Sequence, residues 1–134
     1  MPKVLIATDA DWIHADVDAA LGDASTEVVR VRAGREVAAA VREHEPGLVV
    51  LDLQIGNMGG IATYLLLEQE MEAGRLPAAP VLLLLDRPAD VPMARRVDVD
   101  GWLIKPLDSL RLRKAAEALR KWDTYHEPSG LATA

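Results

Sequence analysis

The sequence predicts an α/β protein, a doubly wound parallel sheet with helices on both faces. Three observations carry this. Short apolar runs and helix-period segments alternate from end to end. The middle runs LVVLD (48–52) and PVLLLL (80–85) are apolar on both sides, as strands covered from two directions must be. The connections between segments are short, which suits a doubly wound chain.

The elements follow in order. VLIA (4–7) is a short strand that stops at polar TDAD. From Asp11 to Leu21, apolar Trp12, Ile13, Val17, Ala20 and Leu21 recur at helical spacing, with Asp11 as the expected cap and Gly22 as the stop. EVVRVR (27–32) alternates and reads as a second strand near a sheet edge. A second helix carries Val37, Ala40 and Val41 and ends at Pro46-Gly47. LVVLD is the third strand, and residues 60–73 form a helix stopped by Gly74. Within that helix Leu65, Leu66 and Leu67 are too continuous for one stripe, so part of the run is core and part is exposed. PVLLLL is the fourth strand. Segment 86–100 has room only for a short helix, limited by Pro88 and Pro92. GWLI (101–104) is the fifth strand, and residues 109–122 form the last helix with Ser109 as the expected cap. Residues 1–122 are thus one domain, and polar residues 123–134 are expected to be a loose tail.

Composition narrows the function classes. The chain has 134 residues, enough for one domain with a real core. It has no cysteine, which excludes disulfides and thiolate metal sites and is compatible with a reducing cytosol. No apolar run is long enough to span a membrane, and the N-terminus lacks signal-peptide character. A net charge of -6 argues against general nucleic-acid binding. His14, His44 and His126 have no metal-ligand spacing. The basic residues Arg111, Arg113, Lys114, Arg120 and Lys121 of the last helix read as a solvated face or a docking surface.

In an open parallel sheet, sites form beyond the C-terminal strand ends. Those ends supply Thr8 and Asp9, then Asp52, then Leu85 and Asp86, then Lys105-Pro106. Two carboxylates close together repel unless a cation intervenes. Mg2+ uses one or two carboxylates together with phosphate oxygens. Lysine neutralises phosphate as a point charge, and Asp is a known nucleophile toward phosphoryl groups. Such an edge has the parts to accept a phosphoryl group and hold it.

KVLIATDAD at the start, PGLVVLDLQIGNMGG in the middle and DGWLIKPLD near the end resemble the receiver domains of two-component response regulators. The resemblance covers about residues 3–122. It implies a flavodoxin-like fold with five parallel strands in the order 2-1-3-4-5. It also implies that Asp52 is phosphorylated by a histidine kinase or a phosphotransfer protein and that Lys105 contacts the phosphoryl group. By the same likeness, Mg2+ is held by Asp9, Asp52 and the backbone carbonyl of Gln54. Trp102 stands where the family has an aromatic switch residue.

The departures are specific. The family has two adjacent acids after the first strand; here the pair is Thr8-Asp9. It has a Ser or Thr after the fourth strand; here the position is Leu85, with Asp86 beside it as a turn residue. The loop after the acceptor has Gly56 and Gly59 where the family has a Pro and an Asp. Weak Mg2+ binding follows from the missing acid. A further expectation is that Leu85 fills the space a switch aromatic would enter, leaving Trp102 outward.

The leading expectation is a stand-alone cytoplasmic receiver, not an enzyme, that accepts phosphoryl on Asp52 and acts through protein contacts with an unknown downstream protein. A homodimer through the fourth helix, fifth strand and fifth helix is possible in that family. The rival is a phosphorylation-independent binding module that keeps the fold and has lost the switch. A hydrolase using Asp52 as nucleophile lacks an evident general acid.

Overall fold

The switch in strand order lies between the first and third strands, and it places the ends of both beside one crevice. The computed structural model describes residues 2–128. One parallel sheet contains β1 (Lys3–Ala7), β2 (Glu27–Val31), β3 (Leu48–Asp52), β4 (Val81–Leu85), β5 (Gly101–Ile104) and β6 (Tyr125–His126). Their order is β2-β1-β3-β4-β5-β6. The expected flavodoxin-like order 2-1-3-4-5 is present, with β2 at an edge. The sheet has a sixth strand that the sequence did not announce.

Five α-helices cover the sheet: α1 (Asp11–Leu21), α2 (Val37–His44), α3 (Gly60–Glu72), α4 (Val91–Arg96) and α5 (Ser109–Arg120). Side chains alternate across a strand, so each central strand feeds two cores. Val4, Ile6, Val50, Leu82, Leu84 and Leu103 pack with Ile13 and Val17 of α1 and Leu112 and Leu119 of α5. Leu5, Val49, Leu51, Leu83 and Leu85 pack with Val37 of α2, Leu67 of α3 and Ala94 of α4 on the other face. The Leu65–Leu67 run divides accordingly: Leu67 is buried and Leu65 is exposed.

Several local expectations are corrected. Helix α1 is capped by Ala10 without a side-chain bond, and Asp11 is its first residue. The Asp11 carboxylate instead accepts from Arg30 Nη1 at 2.8 Å, because the guanidinium on neighbouring β2 is a stronger partner than one amide. Helix α5 is capped by Asp108, which accepts from the Arg111 amide at 2.9 Å, and Ser109 lies inside it. After β4 a 3-10 turn at Pro88–Asp90 leads into the six-residue α4.

The C-terminal segment differs most from expectation. Residues 125–127 are not loose but lie along β5, with Gly101 opposite Tyr125 and Trp102 opposite His126, and Trp102 Nε1 donating to the Glu127 carbonyl. An edge strand left open presents unpaired amides and carbonyls, and this segment covers them. Residues 129–134 of the expected tail lie outside the described residues.

Gly60 opens α3 directly behind the end of β3. A Cβ there would sit 2.7 Å from the Asp52 carbonyl oxygen and 2.9 Å from Leu53 Cα, both backbone atoms that cannot rotate away. Gly60→Ala is expected to lower unfolding free energy by about 1–3 kcal/mol through overpacking, read as a lower urea midpoint with an unchanged slope.

Candidate functional site

Strand β3 is buried along its whole length and delivers Asp52 to its C-terminal end at 1 % exposure. A carboxylate so placed needs hydrogen-bond donors. Three elements provide them. Thr8, the residue after β1, donates from Oγ1 to Asp52 Oδ2 at 2.7 Å. The Gln54 amide donates to Oδ1 at 3.1 Å from the loop that follows. Lys105, just past β5, donates from Nζ to the same Oδ1 at 2.7 Å. The Lys105 amide in turn donates to the Leu85 carbonyl at 2.9 Å, which ties its backbone to the end of β4.

Sequence reasoning gave Asp86 a turn role, and the structure gives it a second one. Its Oδ1 accepts from Lys105 Nζ at 2.7 Å, so one ammonium bridges Asp52 and Asp86. Its Oδ2 accepts from Gln54 Nε2 at 2.6 Å. Burial pushes the Asp86 carboxyl up, but the bonds from Lys105 and Gln54 outweigh it and hold the group below its ordinary value. Burial lowers Lys105, and the two carboxylates outweigh that and raise it. The signal for Asp86 was its place at a strand end next to an apolar residue. No spacing rule says which strand-end acid a lysine will reach.

Thr8 stands where the family has an acid. It is fully buried and does two things: it donates to Asp52, and its Oγ1 accepts from the Ala10 amide at 3.0 Å. Asp9 is exposed and takes part in no hydrogen bond or ion pair among the described residues. Its Oδ2 lies 3.1 Å from the position a Cβ on Gly56 would take, so glycine there lets the loop after β3 approach it. Leu85 is fully buried at the end of β4.

The chemistry of these donors permits a divalent cation without building a cage for one. Mg2+ keeps several waters and needs only one or two carboxylates. Asp9 is an exposed carboxylate at the end of β1, and both Asp52 oxygens already accept protein donors. Among the described residues no group of three or more His, Cys, Asp or Glu side chains is placed to hold a metal. Arg30 also donates from Nε to the Thr8 carbonyl at 3.0 Å and adds fixed positive charge beneath this end of β1. Carboxylate and carbonyl oxygens of this kind are the donor chemistry a hard cation takes.

Trp102 requires a correction. It does not point outward past Leu85: it is fully buried, and both residues belong to the same core cluster. Its ring stacks on His126 with centroids 4.0 Å apart, and its Nε1 donates to the Glu127 carbonyl at 2.7 Å. The segment after α5 supplies partners for both the face and the edge of the indole, which makes burial favourable.

A parallel sheet with an acid and a lysine meeting at its C-terminal strand ends is the arrangement that the likeness to receiver domains implies. A family model described as "Response regulator receiver domain" matches residues 4–117. The chain belongs to that family, the receiver domains of two-component phosphorelay systems. It is 26 % identical over 133 residues to Response regulator protein VraR of Staphylococcus aureus, covering 96 % of this chain and 61 % of VraR. It is 25 % identical over 108 residues to Polar-differentiation response regulator DivK of Brucella anthropi, covering 80 % of this chain and 87 % of DivK. Among solved structures, chemotaxis response regulator CheY4 of Vibrio cholerae superposes with a TM-score of 0.75 at 26 % identity, covering 89 % of this chain and 98 % of CheY4. The chain spans about three-fifths of the length of VraR. Receiver domains are signalling modules that typically bind Mg2+ at an acidic site and interact with histidine kinases or phosphotransfer proteins. Among the described residues no helix is long and apolar enough to cross a membrane.

Two outcomes are expected. Thr8→Val removes the hydroxyl that serves both Asp52 and the Ala10 amide, and should cost about 1–3 kcal/mol in chemical unfolding. The second concerns pH. Asp86 is lowered from 3.8 in the folded state, so its contribution is present above that value and is lost as pH falls through the folded value. Lys105 is raised from 10.5, so its contribution is present below that value and is lost as pH rises through the folded value. The stability difference between the parent and Asp86→Asn should therefore be level from about pH 5 to pH 9 and shrink on further acidification.

Proposed function

We propose that this receiver accepts a phosphoryl group on Asp52 from a phosphohistidine of a histidine kinase or phosphotransfer protein, and passes the signal on by contact with another protein. The single observation supporting this is the Asp52 carboxylate at the end of β3 with the Lys105 ammonium 2.7 Å from its Oδ1. In the transfer a carboxylate oxygen of Asp52 attacks phosphorus. The phosphorus–nitrogen bond of the donor breaks, and the imidazole leaves with the electron pair. Lys105 neutralises the phosphoryl oxygens as they arrive. To do so it turns from Asp86 toward the incoming group, and the Thr8 hydroxyl holds the remaining Asp52 oxygen. A divalent cation, held by Asp9, Asp52 and the Gln54 carbonyl, would supply further charge neutralisation. The same reading places the protein in the cytoplasm and assigns it no separate catalytic activity.

One observation favours a second reading, a binding module that works without phosphorylation. Asp86 already occupies the hydrogen bond that Lys105 would offer to phosphate, at 2.7 Å. A carboxylate there also repels an incoming phosphoryl group.

Radiolabel transfer from acetyl phosphate separates the two. The first reading expects label that requires Mg2+ and is lost in Asp52→Asn. It also expects Asp86→Ala to label faster by about tenfold, since a competing charge-assisted hydrogen bond is removed. No label in either the parent or Asp86→Ala, with both folded, would establish the second reading.

A further inference from the structure

The segment after α5 reaches the backbone that carries the site lysine. Glu127 Oε1 accepts from the Ile104 amide at 2.8 Å. The same carboxylate is held by Arg111 of α5, with Nε at 2.6 Å from Oε2 and Nη2 at 2.5 Å from Oε1. Arg111 also donates from Nη2 to the Ile104 carbonyl at 2.7 Å and from Nη1 to the Pro106 carbonyl at 2.8 Å. Ile104 and Pro106 are the two neighbours of Lys105. One guanidinium–carboxylate pair thus grips the backbone on both sides of it. Of the basic face expected on the last helix, Arg111 is therefore not free but committed inward.

The rest of the segment is fastened beside this grip. Trp102 donates to the Glu127 carbonyl at 2.7 Å and stacks on the His126 ring. His126 Nε2 lies 3.1 Å from the Val99 carbonyl, and the Tyr125 amide donates to the Asp100 carbonyl at 3.2 Å. Gly101 makes the approach possible, because a Cβ there would lie 3.0 Å from the Tyr125 carbonyl oxygen. Against these contacts the strand itself is short, with two residues paired to β5. The turn that launches it carries Trp122 at φ 62, a conformation costly for an aromatic residue. A short strand on a strained hinge, held mainly by side chains, has the makings of a part that opens locally while the fold persists.

We propose that residues 123–128 are an intramolecular latch, and that its closure on β5 and the seating of Lys105 between Asp52 and Asp86 are one coupled equilibrium. Glu127 and Arg111 are its positioning residues: they act on Asp52 only through the backbone that carries Lys105. Closing the latch covers the outer edge of β5 and holds the ammonium over the two carboxylates. Opening it frees both the edge and the lysine. The signalling sense of this device rests on the acceptor reading of Asp52. The coupling itself concerns only where Lys105 sits.

The coupling is testable without any phosphoryl donor, so its failure is distinct from failure of the labelling experiment. Two NMR signals report the two ends in the full chain: hydrogen exchange of the Trp102 indole N–H for the latch, and the Lys105 ammonium resonance for the site. Glu127→Ala should speed indole exchange by about tenfold or more, the loss of a charged hydrogen-bond partner, and move the Lys105 signal toward that of free lysine. Glu127→Gln keeps an acceptor for the Ile104 amide and should lie between the parent and Glu127→Ala at both ends. Coupling is reciprocal, so Asp86→Ala, which among the described residues has no hydrogen bond to the segment, should also speed indole exchange. Faster indole exchange in Glu127→Ala with an unmoved Lys105 signal would show that the segment merely covers an edge and would overturn the proposal. Unchanged exchange in Asp86→Ala would overturn it equally.

Discussion

A single ammonium shared by two carboxylates organises the functional end of this protein. Lys105 is held between Asp52 and Asp86 at 2.7 Å from each, with little of its side chain exposed. Without the lysine two carboxylates would face each other with no cation between them, one of them almost fully buried, which is strongly unfavourable. Three strand ends must therefore stay in register: β3 for Asp52, β4 for Asp86 and β5 for Lys105. The apolar strands behind them keep that register, since slipping one residue would send every buried side chain into the opposite core, where it does not fit.

Around this ion pair the usual receiver chemistry has been rearranged rather than deleted. An acid is missing at Thr8, and an acid is present at Asp86. A hydroxyl is missing at Leu85, and a hydroxyl is present at Thr8, where it donates to Asp52. Acid and hydroxyl have in effect changed sides across the acceptor. The number of charges near Asp52 is kept, but their placement differs. On the β1 side, a neutral donor and the guanidinium of Arg30 weaken the attraction for a cation. On the β4 side, an extra carboxylate contests the lysine that a phosphoryl group would need.

The far side of β5 shows how a peripheral segment reaches this chemistry. A switch aromatic works by having two rotamers of similar free energy. Trp102 has its face against His126 and its N–H on the Glu127 carbonyl, so its buried position is favoured by contacts from outside the receiver core. The Arg111–Glu127 pair then carries the same segment to the backbone around Lys105. The surface of β5 is in this way joined to the acidic pocket through one strand and one loop.

The sequence by itself determined the layered fold, the five main strands and the meeting of Asp52 with Lys105. Apolar runs that admit no polar face can only be central strands, and parallel topology brings all their C-terminal ends to one edge. It also marked Thr8 and Leu85 as departures. Only the tertiary structure decided what each polar group bonds to. Asp11 took Arg30 instead of its own helix, Asp86 took Lys105, and Thr8 took Asp52, since each choice is made between elements distant in the chain. Residues 125–127 likewise look like a polar tail because their partners, Trp102, Ile104 and Arg111, lie 16 to 25 positions away. Local periodicity reports which face of an element is buried, whereas the pairing of single polar groups is settled by the packing that brings them within reach.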